Sequence, residues 1–315
     1  MGGLGRGIHP RRLHPINGLL INPAWGWLNV ENGPIVVLFM GSGKGGAGVS
    51  TVTANVAWLT SQRMPPGEDA TVIDAGYGVN ATLSKLLGVG FTDGGTCVSS
   101  GLYEYILDIK GTTQIQPVPR EKLKVIGPGC LNIDAINWGL PELVSVLGRN
   151  PDAVVRYLQD RLMRIFTSAG SRIILVDLPA SAFRPLAWSL LLLSDIVYVV
   201  GRWGMVHVHE LNDGLSLVEA VSRGVSRRII TGVVINMTQP VSDSNMQRLI
   251  SHRYDVLVNL PYSRIVDVLT SERRDLAIRY AGDPQARREP EYRYWADSIR
   301  RLSDIILELA KKRWA

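Results

Sequence analysis

The sequence predicts an α/β fold: a doubly wound, mostly parallel sheet flanked by helices. Three observations predict it. Short apolar, β-branched runs recur along the 315 residues, helix-like stretches separate most of them, and a glycine-rich turn, GSGKGGAGVST at 41–51, follows the first run. Apolar runs without polar alternation are what strands covered on both faces look like, and helices between parallel strands supply the cover.

The elements follow in order. The first strand is expected at 35–39 (IVVLF) and the second at 70–73 (ATVI). Between them, 50–60 sets Val52, Val56 and Leu59 on one helical face. A short helix is expected at 81–87 and a strand at 123–126 (LKVI). A helix over 151–166 leads to strands at 172–176 (RIILV) and 196–200 (IVYVV). Helices at 207–222, 243–252 and 292–313 alternate with strands at 229–235 (IITGVVI) and 256–260 (VLVNL). Ligands of such sheets gather beyond the carboxyl ends of strands. That singles out Gly41–Thr51, Asp74, Asp177 and Asn236.

Composition narrows the class. The chain is 46% hydrophobic and 20% charged, an ordinary globular balance. No apolar run reaches the ~20 residues of a membrane span. Leu186–Val200 comes nearest and is interrupted by Ser194 and Asp195. Residues 1–33 are rich in Gly, Pro and Asn, without helical or strand period or a signal-peptide pattern. They are read as a flexible tail preceding a domain at 34–315, and a start near Val30 or Met40 would put the first strand at the terminus. A cytoplasmic location is expected. Cys97 and Cys130 lack any C-x-x-C and are expected as plain thiols, which disfavours zinc or iron–sulfur chemistry. The five histidines (9, 14, 207, 209, 252) show no metal-ligand spacing. The net charge is +6; from Arg223 onward there are 17 Lys+Arg against 11 Asp+Glu, so the whole excess lies in the last third. Either a solvated surface or a polyanion-binding face would use it.

Three readings compete for the loop. A ligand-free strand-to-helix turn would not need so many glycines. A dinucleotide site would use Gly41, Gly43 and Gly46 as G-x-G-x-x-G with Asp74 as the ribose acid, but the loop runs on past that fingerprint. A nucleoside-triphosphate loop would use the backbone N–H groups of Gly43–Ser50 as an anion nest, the dipole of the following helix, and the Ser50 hydroxyl for Mg²⁺. Against G-x-x-x-x-G-K-[ST], Gly43, Gly48 and Ser50 are in register, but Val49 stands at the lysine position.

Lys44-Gly45-Gly46-Ala47-Gly48-Val49-Ser50-Thr51, followed by VTANVA, resembles the deviant Walker A motif K-G-G-x-G-K-[ST]-[ST] of the ParA/MinD group of P-loop ATPases. Four further stretches resemble that family in order: ATVIDAGYGVNAT (70–82) with Asp74 and Asn80 in register, IILVDLPAS (173–181) with Asp177 as the Walker B acid, TGVVINMTQP (231–240) ending a strand at Asn236, and VNLPYS (258–263). The resemblance spans residues 34 to about 310 and implies a P-loop fold of ParA/MinD type, ATP and Mg²⁺ as ligands, and a nucleotide-dependent homodimer with an adaptor partner. It implies that Gly43 to Thr51 (Gly43, Lys44, Gly45, Gly46, Ala47, Gly48, Val49, Ser50, Thr51) cradle phosphates, that Lys44 reaches across the dimer, that Ser50, Asp74 and Asp177 serve the metal, and that Asn236, Pro261 and Tyr262 touch adenine.

Two departures fall on chemistry. Val49 removes an ammonium, and Gly76 replaces a second switch acid. A lost charge-assisted hydrogen bond costs about 1.5–3 kcal/mol, and a lost water-positioning acid slows hydrolysis. The expected function is therefore an ATP-binding, dimerising switch or scaffold that positions DNA or a cellular assembly, with hydrolysis weak or absent. The lysine-free loop is similar to the TadZ/CpaE-like branch. One alternative is an active DNA-partition ATPase, using Arg223, Arg227, Arg228, Arg248 and Arg253 for nonspecific DNA contacts, with Arg273, Arg274, Arg287 and Arg288 adding charge. Another is a structural relative that binds no nucleotide. On the last helix, Trp295, Ile299, Leu302, Ile306 and Leu309 share a face, expected to pack on the domain rather than on a membrane.

Overall fold

A computed structural model describes residues 33–43, 45–76, 81–89, 100–180, 182–224, 228–238 and 248–314. Lys44, Asn80, Cys97, Arg227 and nearly all of the expected tail lie outside the described residues.

Eight strands form one sheet: β1 (Ile35–Gly41), β2 (Ala70–Asp74), β3 (Gln116–Pro117), β4 (Leu123–Ile126), β5 (Ile173–Leu178), β6 (Ile196–Arg202), β7 (Ile230–Thr238) and β8 (Val256–Pro261). Their spatial order is β3-β4-β2-β5-β1-β6-β7-β8, and every pairing is parallel except β3 with β4. All seven expected strands are present. The unexpected β3 is a two-residue edge strand, where Pro117 costs no ladder bond.

Alternate residues of β1 show why these strands read as unbroken apolar runs. Ile35, Val37 and Phe39 enter one core, while Val36, Leu38 and Met40 enter the other. The first core is covered by α1 (Val49–Gln62), α2 (Thr82–Leu86), α8 (Arg264–Ser271) and α9 (Pro290–Trp314). The second is covered by α3 (Leu102–Ile106), α4 (Ile133–Val146), α5 (Pro151–Ala169), α6 (Arg184–Leu193) and α7 (Met205–Gly224).

The expected helices at 50–60, 81–87, 151–166, 207–222 and 292–313 correspond to α1, α2, α5, α7 and α9. Most of the one expected at 243–252 falls on residues outside the description. The long apolar run at 186–200 splits at Ser194-Asp195 into α6 and β6, both buried. Asp195 ties that break to the sheet by accepting the Val36 N–H at 2.9 Å and bonding Arg313 of α9. Among the described residues no helix is long and apolar enough to cross a membrane.

Helix α9 packs on α1 and β8. Its face of Trp295, Ile299, Leu302 and Ile306 is buried in the first core, and Leu309 is half-buried against it. Thr60 of α1 donates to Ser303 of α9 at 3.0 Å inside this contact.

One expectation is corrected. Cys130 is disulfide-bonded rather than a free thiol, and the only other cysteine in the sequence is Cys97.

The docking of α9 gives a stability prediction. Trp295→Ala removes one of the largest fully buried side chains, and the expected loss is about 3–5 kcal/mol. Urea unfolding of the full chain measures it; an unchanged midpoint would mean that α9 is not docked.

Candidate functional site

The candidate site lies where the carboxyl ends of β1, β5 and β2 meet. Strand β1 ends at Gly41, the loop crosses 42–48, and α1 begins at Val49. The N-cap of α1 is Gly48, which has no side chain to cap the helix, and its first turn holds no acid. The first N–H groups of α1 are therefore free of a side-chain acceptor, the arrangement that takes an anion. Gly48 sits at φ 82, in the left-handed region. A Cβ there would lie 2.2 Å from Asn236 Nδ2, so glycine is required on two counts. Ser50 and Thr51 follow on the first helical turn.

Val49, which stands at the lysine position of the Walker spacing, is the first residue of α1. It is buried in the first core, and its Cγ2 lies 3.3 Å from where a Cβ on Gly41 would sit. At the other end of the loop, the side chain of Glu210 from α7 packs on Gly43, within 3.1 Å of where a Cβ would be. His207 Nδ1 is 3.0 Å from Glu210 Oε2. Sequence reasoning missed this contact; its one signal is the His-x-x-Glu spacing on a helix.

Two carboxylates stand beside the loop. Asp177 of β5 is in register with both Phe39 of β1 and Asp74 of β2. Both acids are buried. Asp74 is held on both oxygens: Oδ1 accepts the Gly76 N–H at 2.9 Å, and Oδ2 accepts the Ser84 N–H at 2.9 Å and the Ser84 hydroxyl at 2.7 Å. Burial nonetheless raises its pKa, with those hydrogen bonds and Lys85 pulling the other way. Asp177 is less well served. Its pKa is pushed up to about 8, by burial first and by the neighbouring Asp74 second, against smaller opposing effects of the Ser50 and Thr53 hydroxyls. Its Oδ1 is buried without a hydrogen-bond partner.

An orphaned carboxylate oxygen beside a helix N-terminal serine fits a divalent cation. Among the described residues no group of three or more His, Cys, Asp or Glu could hold one alone. Mg²⁺ suits such a site, because it binds through one or two protein oxygens plus phosphate oxygens and water. Of the expected metal residues, the structure brings together Ser50 and Asp177, with Asp74 beside them and already hydrogen-bonded.

The expected base residues lie at the ends of β7 and β8. Asn236 is nearly buried; its Nδ2 donates to the Ala47 carbonyl at 2.9 Å and its Oδ1 accepts the Met237 N–H at 2.9 Å. Pro261 ends β8, and Tyr262 is half exposed, donating its hydroxyl to Asp267 at 3.2 Å. A groove of about 820 Å³ opens here, lined by Arg202, Trp203, Met237, Thr238, Tyr262 and Asp267 among others.

Two of the basic candidates sit beside acids. Arg228 pairs with Asp255 at 2.5 Å, and Arg223 lies 3.9 Å from Glu219. Arg253 lines a hollow with Arg228, Glu219 and Asp255, at the amino ends of β7 and β8, opposite the loop. Arg248 is exposed.

No protein-family model matches the sequence, and no curated protein matches it. The fold is another matter. It superposes on McdA of Cyanothece with a TM-score of 0.61 at 16% identity, covering 84% of this chain and 99% of that one. MinD of Pyrococcus horikoshii, solved with Mg-ADP, matches with a TM-score of 0.59 at 17% identity, covering 89% and 99%. A plasmid partition protein of Borrelia burgdorferi bound to AMPPNP matches with a TM-score of 0.56 at 17% identity, covering 89% and 99%. The structural neighbours are ATPases of the ParA/MinD type, and this chain has their fold.

The paired carboxyls give a pH prediction for the ligand-free protein. Unfolded, Asp177 would ionise near pH 4; folded, it holds its proton up to about pH 8. The native state then binds more protons through that window, so stability falls as pH rises from about 4 to 8 and levels off above. Asp177→Asn should flatten that slope and raise the melting temperature at pH 8. Melting curves without Mg²⁺ check it, and a wild-type slope retained in the variant would refute the assignment.

Proposed function

We propose that this chain binds a Mg²⁺–nucleoside triphosphate on the 41–51 loop and serves as a nucleotide-dependent, dimerising switch or scaffold of the ParA/MinD kind, with hydrolysis slow or absent. One observation carries the reading: the uncapped amino end of α1 lies beside Asp177, whose Oδ1 is buried and unpartnered. Nucleotides or their analogues in the structural neighbours, as Mg-ADP and AMPPNP, support it.

The roles follow from the residues. The N–H groups of Gly45 to Ser50 and the dipole of α1 take the phosphate oxygens. Ser50 Oγ and Asp177 supply the protein oxygens for Mg²⁺, which when bound offsets the charge of the β- and γ-phosphates. Asp74, pinned by Ser84 and Gly76, acts through the ion's water shell. Lys44 is proposed as the cation that meets the phosphates across a dimer. The groove by Met237, Thr238 and Tyr262 takes the base.

Weak hydrolysis follows from two positions. Val49 is turned into the core and offers no charge to a leaving phosphate. Gly76 offers an N–H, which Asp74 accepts, and has no group to orient a water. The partner that reads the switch is proposed to be an adaptor protein, with nonspecific DNA at the C-terminal arginines as the alternative.

Calorimetric titration of Mg·ATP and Mg·ADP, with light scattering to follow assembly, tests the proposal. Binding at micromolar strength with dimer formation is expected, with turnover far below one per second. No heat at millimolar nucleotide would sink it. Asp177→Ala should abolish Mg²⁺-dependent binding. Val49→Lys should lower the unfolding midpoint without restoring tight ATP binding, because the side chain at 49 is packed in the first core.

A further inference from the structure

We infer that the outward face of α4 is a docking surface for a segment of this same chain, residues 1–32, whatever the phosphate loop binds. On its inner side, Ile136 and Leu140 are buried in the second core, and Leu143 and Val144 pack against it. Its other side is apolar and bare. Trp138 is 80% exposed and Val146 77%, and Ala135 and Pro141 are exposed as well. Scattered apolar residues on a surface need no explanation. A bare Trp within an apolar patch is different, because Trp is the side chain that most often anchors an interface.

The charge of the face narrows its occupant. Asp134 and Glu142 lie one turn to either side of Trp138, both exposed. The helix, IDAINWGLPELVSV, carries no Lys, Arg or His. A second copy of α4 paired on it with two-fold symmetry would set acids against acids. An anionic lipid surface would repel it. The face suits a segment that brings apolar side chains and positive charge together.

Residues 1–32, which lie outside the described residues, have that composition. They hold Arg6, Arg11 and Arg12 against the single acid Glu31, and Leu19, Leu20, Ile21, Trp25 and Trp27 follow the arginines. Their attachment point puts α4 within reach. Residue 33 precedes β1, whose Ile35 N–H donates to the Arg172 carbonyl at 2.8 Å, just past the end of α5. The other end of α5 adjoins α4 through residues 147–150. The 19 residues of α5 span about 28 Å, which about nine extended residues cover. Counted back from residue 33, that brings residues 24 and 25 to the α4–α5 turn and leaves Leu19–Ile21 and the arginines to run along α4. A segment tethered so closely is present at high effective concentration, so one Trp-centred patch and two charges suffice to hold it.

Hydroxyl-radical footprinting of the full-length protein, read at Trp138 by mass spectrometry, tests the inference. In the wild type Trp138 should react far more slowly than in the urea-unfolded chain, and dilution should not change its rate. Arg6→Glu/Arg11→Glu/Arg12→Glu should raise that rate about tenfold, the effect of turning a few exposed ion pairs from attraction to repulsion. Asp134→Arg/Glu142→Arg added to that variant should restore the protection; both positions are exposed, so the core is untouched. Leu19→Ser/Leu20→Ser should expose Trp138 by the apolar route. If Trp138 of the wild type reacts as it does in the unfolded chain, the face is bare and the inference is wrong. Protection that fades on dilution would assign the face to a second copy. Protection that survives both the arginine and the leucine changes would assign it to something other than this segment. Either result overturns the inference.

Discussion

Two carboxylates in a dry place govern this site. Asp74 and Asp177 lie in register on adjacent strands, both buried, and like charges so placed cannot both ionise without help. The protein supplies part of that help unequally. Ser84 and the Gly76 N–H fill the lone pairs of Asp74, whereas Asp177 keeps one oxygen bare and holds a proton to about pH 8. Ser50 and Thr53 of α1 lie close enough to Asp177 for their hydroxyls to oppose the rise in its pKa. A fold that needed only stability would have made Asp177 apolar, since replacing buried charge by packed hydrocarbon is commonly neutral or better. Its retention beside an uncapped helix end is the arrangement of a cation site coupled to an anion site.

The sheet makes that coupling possible. Because β1 is flanked by β5 and β6, its carboxyl end has Asp177 on one side and, past β6, the end of β7 on the other. The loop after β1 is thus reached by an acid from one direction and by the Asn236 amide from the other. Parallel strands put all these ends on the same edge. The two cores on the faces of β1 lock the strand that carries the loop, and Asp195 and Arg313 join the break after α6 to the last helix.

Most of the architecture was legible in the sequence because strands covered on both faces leave uninterrupted apolar runs, and seven of the eight left one. β3 did not, being two residues long. α6 was hidden because all its neighbours are apolar, so Leu186–Val200 showed no period and only Ser194-Asp195 marked the break. α4 carries Gly139 and Pro141 inside it, which weaken the helical signal. At the site, the loop and its acids were legible as local strings. Their partners were not: Ser84 lies 10 residues from Asp74 and Asn236 lies 189 from Ala47, and no local pattern records such meetings. The disulfide at Cys130 was missed for the same reason.

The pattern of what is kept and what is lost has a physical logic. On the proposed reading, the features that would hold phosphates are main-chain: glycine conformations, N–H groups at a helix start, and a carbonyl drawn aside by an amide. They are fixed by how β1, α1 and β7 pack, so they persist while the fold persists. The two departures, at Val49 and Gly76, are single side-chain positions, and on the proposed reading they are the ones that would act on charge developing during hydrolysis. Losing those side chains would remove transition-state stabilisation and leave most of the ground-state cradle. Val49 has moreover been absorbed into the core under the loop, where its burial now adds to stability. On the proposed reading, a site changed in this way would keep the capacity to sense a nucleotide and give up the capacity to consume it quickly, so a bound state would last until dissociation or a partner ends it.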